Sequence, residues 1–249
     1  MKRAARGAMA EEIDWIALQS LKMAQEAEDD AAERHYSKKE RWRVGPAFFL
    51  SKYREVKYKE GDYAGAEALF RQTLKIYEKQ FGPEGLPVAS LLRNHARLLW
   101  ESNPLFPAPR AAPRKGDLVA AEKLFWRVLA IERKHKGPDH GYVVEALDYL
   151  ALVLEEQGEY AAAELLYRRK LAIKKKALGA ESQDVGCLTE DVARMLEAQG
   201  EYAAAEPLYR RALAIAEKIF GPFREDPRVF NLKDTVNRLK EAVSRLGGG

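Results

Sequence analysis

One sixteen-residue motif occurs twice in this chain, and it restricts the possible folds more than any other feature. Residues 158–173 read GEYAAAELLYRRKLAI and residues 200–215 read GEYAAAEPLYRRALAI, so fourteen of the sixteen letters agree. Two more distant copies precede them, GDYAGAEALFRQTLKI at 61–76 and GDLVAAEKLFWRVLAI at 116–131. Internal self-similarity of this kind indicates a chain built from copies of one structural unit that stack on each other.

Two series of glycines show that the copies share one phase. The spacing between successive members is 55, 42 and 42 residues in both series. The leading series is Gly61, Gly116, Gly158 and Gly200, and the closing series is Gly82, Gly137, Gly179 and Gly221. Because both ends of the motif keep the same intervals, the whole segment from the leading to the closing glycine is repeated.

Each copy of the motif predicts an amphipathic helix. In the third copy the apolar residues Ala163, Leu166, Tyr167 and Leu171 recur at helical intervals and form one stripe. The same stripe occurs in the other copies, and an acidic residue follows each leading glycine, where it meets the positive end of the helix dipole. We expect the closing glycine to end the helix in a left-handed conformation.

A second helix is predicted between each closing glycine and the next leading glycine. Residues 142–157 place Val143, Leu147, Leu150 and Leu154 on one face, and segments 88–101 and 184–199 repeat this pattern. The unit is therefore two antiparallel helices joined by a tight turn. A single pair cannot bury both of its apolar faces, whereas stacked neighbours can, so we expect an all-α solenoid.

These residues resemble the tetratricopeptide repeat (TPR) family, in the 42-residue variety of kinesin light chains. The resemblance covers about residues 40–222, and its small and aromatic positions are Ala151, Ala163 and Tyr167, and then Ala193, Ala205, Tyr209 and Ala212. HEAT-type repeats have a similar period but lack the Gly-acidic-Tyr turn. The resemblance implies a right-handed superhelical solenoid of antiparallel helix pairs. It further implies that the first helix of each pair lines a concave groove that binds peptides or protein surfaces.

The predicted organisation has three parts. Residues 1–40 form an N-terminal arm and capping helix, residues 41–224 form about four TPR helix pairs, and residues 225–249 form a C-terminal capping helix with a glycine tail. The longer first spacing places a proline-rich insertion at 102–115. Its prolines favour polyproline II and exclude helix, and the insertion is either an inert spacer or a binding element at the edge of the repeats.

The groove candidates follow from the resemblance. Kinesin light chains commonly carry paired asparagines on the groove helix that clamp a bound peptide, whereas only Asn94 stands in such a place here. The ligand choice of that family therefore does not transfer to this chain. The residues predicted to contact a partner are Lys52, Arg54, Arg93, Asn94, Asp148, Tyr149, Glu190 and Asp191.

The first helices of the repeat pairs, here named groove-type helices, change the sign of their net charge along the sequence. Residues 45–60 and 88–101 carry a basic excess, whereas 142–157 and 184–199 carry an acidic excess. We hypothesise a partner segment of mixed charge, with its basic part near Asp148, Glu190 and Asp191. Its acidic part would lie near the arginines and lysine of the first two helices. The alternative is that these charges only keep the helices soluble.

One residue departs from the repeat pattern. Lys170 replaces the small residue that is Ala212 in the following copy, and we expect its aliphatic stem to run along the helix until the amine reaches water. Lys170 also belongs to a basic patch at 168–176, which is the feature that a binding site for RNA or lipid would use.

No catalytic, cofactor or metal site is predicted. There is no phosphate-binding glycine loop, nothing arranges Ser, His and Asp as a triad, and the four histidines are scattered. The single cysteine, Cys187, excludes an intrachain disulfide and fits a reducing compartment such as the cytoplasm. No stretch approaches the length of a transmembrane helix. The basic N-terminus is compatible with organelle targeting, whereas a secretory signal is not expected.

The sequence therefore predicts a non-catalytic adaptor or scaffold that binds another protein through a TPR groove. The first alternative is a permanent structural subunit of a large complex that docks through its convex face and flanking arms. The second alternative is binding to anionic RNA or lipid through 168–176. Nucleic acid is the less favoured partner because the net charge is only +4, with 42 basic and 38 acidic residues.

Overall fold

The computed structural model describes residues 63–100, 115–221 and 227–247. The chain divides into two compact units, Met1–Pro138 and Asp139–Gly249. Every regular element within the described residues is an α-helix. The predicted arm at 1–40 and all but the last residue of the insertion at 102–115 lie outside the described residues. The boundaries at 40/41 and 224/225 lie outside them as well, so this division of the chain stays a prediction.

The first unit contributes three helices to the described part of the chain. These are α1 (Tyr63–Phe81), α2 (Leu86–Trp100) and α3 (Lys115–Lys136). Helix α2 packs against both of its neighbours. Its apolar residues Leu91 and Leu92 are fully buried, as is Phe125 of α3. The motif-bearing helices α1 and α3 therefore cover the two sides of one groove-type helix.

The described residues of the second unit form five helices, each of which packs against the next. In chain order they are α4 (Gly141–Gln157), α5 (Tyr160–Leu178), α6 (Gln183–Ala198), α7 (Tyr202–Phe220) and α8 (Pro227–Gly247). The predicted antiparallel pairs are thus α4 with α5 and α6 with α7. Helix α8 buries Val229, Leu232, Val236 and Leu239 and covers the free side of α7.

The predicted apolar stripes are buried in full on the groove-type helices α4 and α6. On the helices that carry the sixteen-residue motif, some of the predicted stripe residues are partly exposed. On α4 and α6 every predicted stripe residue is buried. On α7 the buried face runs through Ala205, Tyr209, Ala212 and Ala216, whereas Leu208 and Leu213 are partly exposed. The four buried residues are spaced by four, three and four positions, which keeps them on one side of a helix with about 3.6 residues per turn. Leu208 and Leu213 therefore lie at the edges of this buried face.

The glycines explain how the helices end. The closing glycines have positive φ, for example +86° at Gly179. The ψ angles of 162° at Gly179 and 148° at Gly221 lie outside the left-handed helical region, so the predicted left-handed cap is wrong at these two positions. Gly158 and Gly200, which lead the motif, have φ of +81° and +82° and end the preceding groove-type helices. After Gly158 the amide of Glu159 donates a hydrogen bond of 2.8 Å to the carbonyl of Leu154. This carbonyl would otherwise have no partner at the end of α4. Gly158 and Gly200 therefore close one helix, and Glu159 and Glu201 occupy the N-cap positions of the next without a side-chain capping bond. Gly116 differs, because it lies within the first turn of α3.

Close approach between α6 and α7 depends on Gly186. A Cβ at this position would lie 3.0 Å from Cγ2 of Ile215, which is almost fully buried. Gly186 thus lets the groove-type helix and its partner come together more closely than an alanine allows. This packing fixes the position of the residues that follow on α6, including Cys187.

Candidate functional site

A cleft of about 370 Å³ opens in the second unit between the groove-type helices α4 and α6. Helix α5 contributes its C-terminal half to the same cleft. The apolar part of the lining comes from Val144 and Leu188, and Cys187 stands beside them. The charged part of the lining consists of Glu145, Asp148, Lys170, Lys174, Asp184 and Asp191. The cleft thus combines a small apolar surface with side chains of both signs.

Two lysines of α5 reach into this cleft and bond carboxylates of the groove-type helices. Lys170 forms an ion pair with Asp148 of α4. Lys174 forms one with Asp184 of α6, with 2.8 Å between Nζ and Oδ2. The two lysines lie four residues apart and therefore on the same face of α5. Helix α5 consequently supplies one cation to each wall of the cleft.

The position of Lys170 is exceptional within the repeat. The equivalent residues of the other three copies are Thr73, Val128 and Ala212, whose exposed fractions are 0%, 0% and 1%. The Lys170 side chain is 15% exposed, and its amine ends at the Asp148 carboxylate. The amine therefore meets a carboxylate on the facing helix, which the sequence analysis did not predict, and this carboxylate compensates the ammonium charge.

Arg194 of α6 connects the two walls of the cleft. Its guanidinium bonds Glu155 of α4 through Nη1 and Asp191 of its own helix through Nη2, the latter at 2.8 Å. The forked geometry of arginine allows both carboxylates to be bound at once. Asp191, which the sequence predicts as a partner-binding residue, is therefore held in place at the cleft by Arg194.

The same arrangement recurs one repeat later. Arg238 of α8 bonds Glu197 of α6 at 2.9 Å, and the hydroxyl of Tyr209 donates to the same carboxylate at 2.9 Å. In the preceding pair Tyr167 donates to Glu155 at 3.1 Å. Helices α4 and α6 thus each carry a glutamate that is bonded by a tyrosine of the next helix in the chain and by an arginine of the helix after that.

The other predicted site residues have internal partners or remain untested. Arg93 of α2 forms a part-buried ion pair with Glu132 of α3, and its side chain is only 12% exposed. Glu190 accepts from Arg228 of α8 at 3.0 Å and does not line the cleft. Asn94 and Tyr149 are partly exposed on α2 and α4. Lys52 and Arg54 lie outside the described residues.

The basic patch at 168–176 is largely neutralised by intramolecular ion pairs. Arg168 bonds Glu164 at 3.0 Å, and Lys176 bonds Asp139 at 2.9 Å. Lys170 and Lys174 bond the walls of the cleft, as described above. The patch therefore does not form one continuous positive surface, because its cations face different helices and different carboxylates.

Sequence reasoning brought Asp148 and Asp191 to the site but missed several of their neighbours. Glu145, Lys174, Asp184 and Cys187 line the cleft and were not predicted to do so. A signal for the lysines was present, since a charged residue at the buried motif position of Lys170 must find a counter-charge nearby. The others depend on how α5 and α6 are rotated about their axes, which the pattern does not specify.

Within the part of the chain that the structure describes, no group of three or more metal-ligating side chains comes together. Nor does any helix there have the length and apolar character required to cross a membrane.

Two models of one family match the sequence. Both carry the description tetratricopeptide repeat; one matches residues 114–176, and the other matches 56–85 and 190–227. Together these ranges cover just over half of the chain. The chain belongs to the tetratricopeptide repeat family. No curated protein matches the sequence.

Solved structures with the same fold include repeats that are named for kinesin light chain. The nearly identical TPR-like repeats of a Podosopora anserina protein of that name share 21% sequence identity with this TPR chain, with a TM-score of 0.57. The match covers 79% of this chain and 86% of the other. A point variant of the same repeats has the same identity and TM-score, and its match covers 79% of this chain and 85% of the variant. BtubC (BKLC) from P. vanneervenii shares 16% identity with a TM-score of 0.59, covering 93% and 84%.

These likenesses concern the fold. They confirm the predicted all-α repeat fold of the superhelical TPR class and its resemblance to kinesin-light-chain-type repeats. TPR repeats are protein–protein interaction scaffolds and are generally non-catalytic, so this chain is a repeat scaffold of the protein-interaction class. The identity of a partner is not part of that conclusion.

Proposed function

We propose that this TPR chain is a non-catalytic adaptor that binds a segment of a partner protein in the cleft between α4 and α6. The observation that carries the proposal is the cleft itself. It lies between successive groove-type helices, and it combines the apolar residues Val144 and Leu188 with charged groups from three helices. Sites for specific ligands typically have this composition, in which apolar contact supplies affinity and a few placed polar groups supply orientation.

The cleft suits a segment of mixed charge. Asp148 and Asp184 are 42% and 50% exposed even though each bonds a lysine of α5. A carboxylate has about four lone-pair sites, so each retains acceptor capacity for donors of a ligand. The sequence-based proposal that a basic part of the partner approaches Asp148 and Asp191 is therefore retained for this cleft. Its acidic part would depend mainly on Lys52 and Arg54, because Arg93 is occupied by Glu132.

The single cysteine provides a direct test of this proposal. Cys187 is partly exposed and lines the cleft, so a bulky maleimide attached to its thiol would fill the space that a partner segment needs. Peptides that bind the full-length chain would first be selected from a displayed library of random sequences. The proposal predicts that a selected peptide slows maleimide labelling of Cys187 by about tenfold or more at saturation, since bound ligand excludes the reagent.

The reverse experiment supplies the control. Prior labelling of Cys187 should abolish binding of the selected peptides, whereas Cys187→Ser should bind them equally well before and after exposure to the reagent. Binding that survives labelling of the wild-type chain would place the ligand elsewhere. A chain from which no peptide can be selected would contradict the adaptor function itself.

A second candidate is a permanent structural subunit, and one observation favours it. Trp126 and Val119 lie seven residues apart on one face of α3 and are 45% and 37% exposed. The other copies have arginine at the position of Trp126, namely Arg71, Arg168 and Arg210. Exposed tryptophans are enriched in protein interfaces. Size-exclusion chromatography of native extract decides between the two, because a permanent subunit does not elute at the size of the free chain.

The alternative of an anionic surface is less well supported. Because Arg168, Lys170, Lys174 and Lys176 are all engaged with carboxylates, an RNA or a lipid would have to displace several ion pairs to reach them. Binding of this kind would weaken steeply with salt. An affinity for RNA or for anionic vesicles that falls by orders of magnitude between low and moderate salt would support it.

A further inference from the structure

Lys170 stands out because no equivalent position of the repeat carries a charge. Its counterparts Thr73, Val128 and Ala212 are buried and contribute to the core. A lysine at such a position must either be exposed to water or meet a counter-charge. The structure shows the second case, in which the stem crosses from α5 and the ammonium bonds Asp148 at the edge of the cleft.

The exposures of the two partners show which of them faces the cleft opening. The Asp148 side chain is 42% exposed, whereas that of Lys170 is 15% exposed. The ammonium therefore holds the carboxylate from its inner side, and the outer side remains open to a ligand. Lys170 thus already supplies the counter-charge that a cationic group of a ligand would supply if Asp148 were unpaired.

We propose that Lys170 is a specificity-determining residue of the cleft, because it acts as an internal competitor that lowers the preference of the cleft for cationic groups. This inference rests on the proposed function, namely that a partner segment binds in the cleft. Lys174 repeats the arrangement at Asp184, so two of the carboxylates in the lining have a built-in cation. The partner segment consequently presents fewer cationic groups next to Asp148 than it would if that carboxylate were unpaired. The charge of Asp191 is likewise shared with Arg194.

The charge preference can be measured without knowing the partner. Cys187 lines the same cleft as Lys170, and it is the only cysteine of the chain. A methanethiosulfonate reagent converts its thiolate to a mixed disulfide and releases methanesulfinate. The probes are the cationic trimethylammonium-ethyl reagent and the anionic sulfonato-ethyl reagent, applied to the full-length chain. The ratio of their two rates reports the local potential and cancels any change in ionisation of the thiol.

The decisive variant is Lys170→Met, which keeps the unbranched stem and removes the charge. The proposal predicts that this substitution raises the cationic-to-anionic rate ratio by about fivefold, because a positive charge near the thiol is lost. Lys175→Met removes the same charge from an exposed position of α5 outside the cleft lining, and it should change the ratio by less than about twofold. Equal ratios in Lys170→Met and wild type would overturn the proposal.

A double substitution keeps the test informative if the single variant is unstable. Lys170→Met with Asp148→Asn removes both charges, so its rate ratio should return to within about twofold of the wild-type value. Peptides selected on Lys170→Met should also contain more Lys and Arg than those selected on wild type. An unchanged charge composition of the selected peptides contradicts the inference. Failure to select any peptide contradicts the proposed function and leaves the predicted change in rate ratio as a separate result.

Discussion

The hydroxyl of Tyr167 donates a hydrogen bond of 3.1 Å to the carboxylate of Glu155 on the adjacent groove-type helix. Tyr209 makes the same bond to Glu197 at 2.9 Å, one repeat of 42 residues later in both partners. Each glutamate also bonds an arginine of the helix that follows its repeat pair, Arg194 of α6 for Glu155 and Arg238 of α8 for Glu197. Glu155 and Glu197 therefore connect three successive helices at equivalent points of the second unit.

Removal of the Tyr167 hydroxyl tests this connection. Tyr167→Phe keeps the buried ring and loses one hydrogen bond to a charged acceptor, which should lower the free energy of unfolding by about 1–2 kcal/mol. Tyr160→Phe, at the partly exposed first position of the same helix, should change it by less than about 0.5 kcal/mol. The measurement is urea unfolding followed by circular dichroism. Equal effects of the two substitutions would contradict an energetic role for the Tyr167–Glu155 bond.

Alkaline pH should weaken the second unit through the same tyrosines. Burial, together with the nearby glutamate, raises the pKa of Tyr167 above its usual value, and burial also raises the pKa of Tyr209. In the unfolded chain both tyrosine hydroxyls titrate at about pH 10. The folded state therefore retains their protons above that pH, and its stability falls as pH rises further.

The expected result is a urea midpoint that is constant up to about pH 9 and then declines. The variant in which both Tyr167 and Tyr209 are replaced by Phe should show a smaller decline than wild type between about pH 10 and 11.5, since it lacks the two perturbed hydroxyls. Identical pH profiles for the two proteins would show that other groups cause the alkaline loss.

The glycines that end the groove-type helices provide a test of backbone geometry. At Gly158 and Gly200 an added Cβ would meet no atom within 4 Å, but φ is positive at both residues. Gly158→Ala should therefore destabilise the chain by about 1 kcal/mol through the left-handed conformation alone. Gly141→Ala is the matched control, because its Cβ also has open space and its φ is not positive. It should be neutral or slightly stabilising, and thermal unfolding of the three proteins compares these outcomes.

The bridging arginine should contribute more than an ordinary surface arginine. Arg194 bonds carboxylates of two helices, whereas Arg210 bonds Glu206, which lies four residues earlier on its own helix. Because Arg194 is 43% exposed, its loss should cost only about 1 kcal/mol, and Arg210→Ala should cost less than about 0.5 kcal/mol. The difference should shrink in about 1 M salt, which screens exposed charges. Indistinguishable variants at low salt would argue against the bridge.

The sequence predicted the helices and their pairing well because both depend on local patterns. The spacing of Ala163 and Tyr167 identifies the buried face of α5, and a closing glycine such as Gly179 marks where a helix ends. The candidate site was only partly predictable. Asp148 and Asp191 were placed on the groove-type helices from sequence and do line the cleft.

What the sequence could not supply is the set of charges contributed by the neighbouring helix. The pattern indicated an acidic excess on α4, but the pairing of Asp148 with Lys170 depends on the contact between α4 and α5. For the same reason Arg93 was predicted to be available to a partner, whereas it bonds Glu132 across the contact between α2 and α3. Net charge along one helix therefore overstates the charge that a ligand meets, because facing helices supply counter-ions.

Amide hydrogen exchange of the full-length chain, with and without a saturating selected peptide, tests the proposed docking most directly. If the peptide lies in the cleft, protection should increase in α4 and α6 and remain unchanged in α7, which contributes no residue to the cleft lining. Protection confined to α3 around Trp126, with no change in α4 or α6, would contradict docking in the cleft.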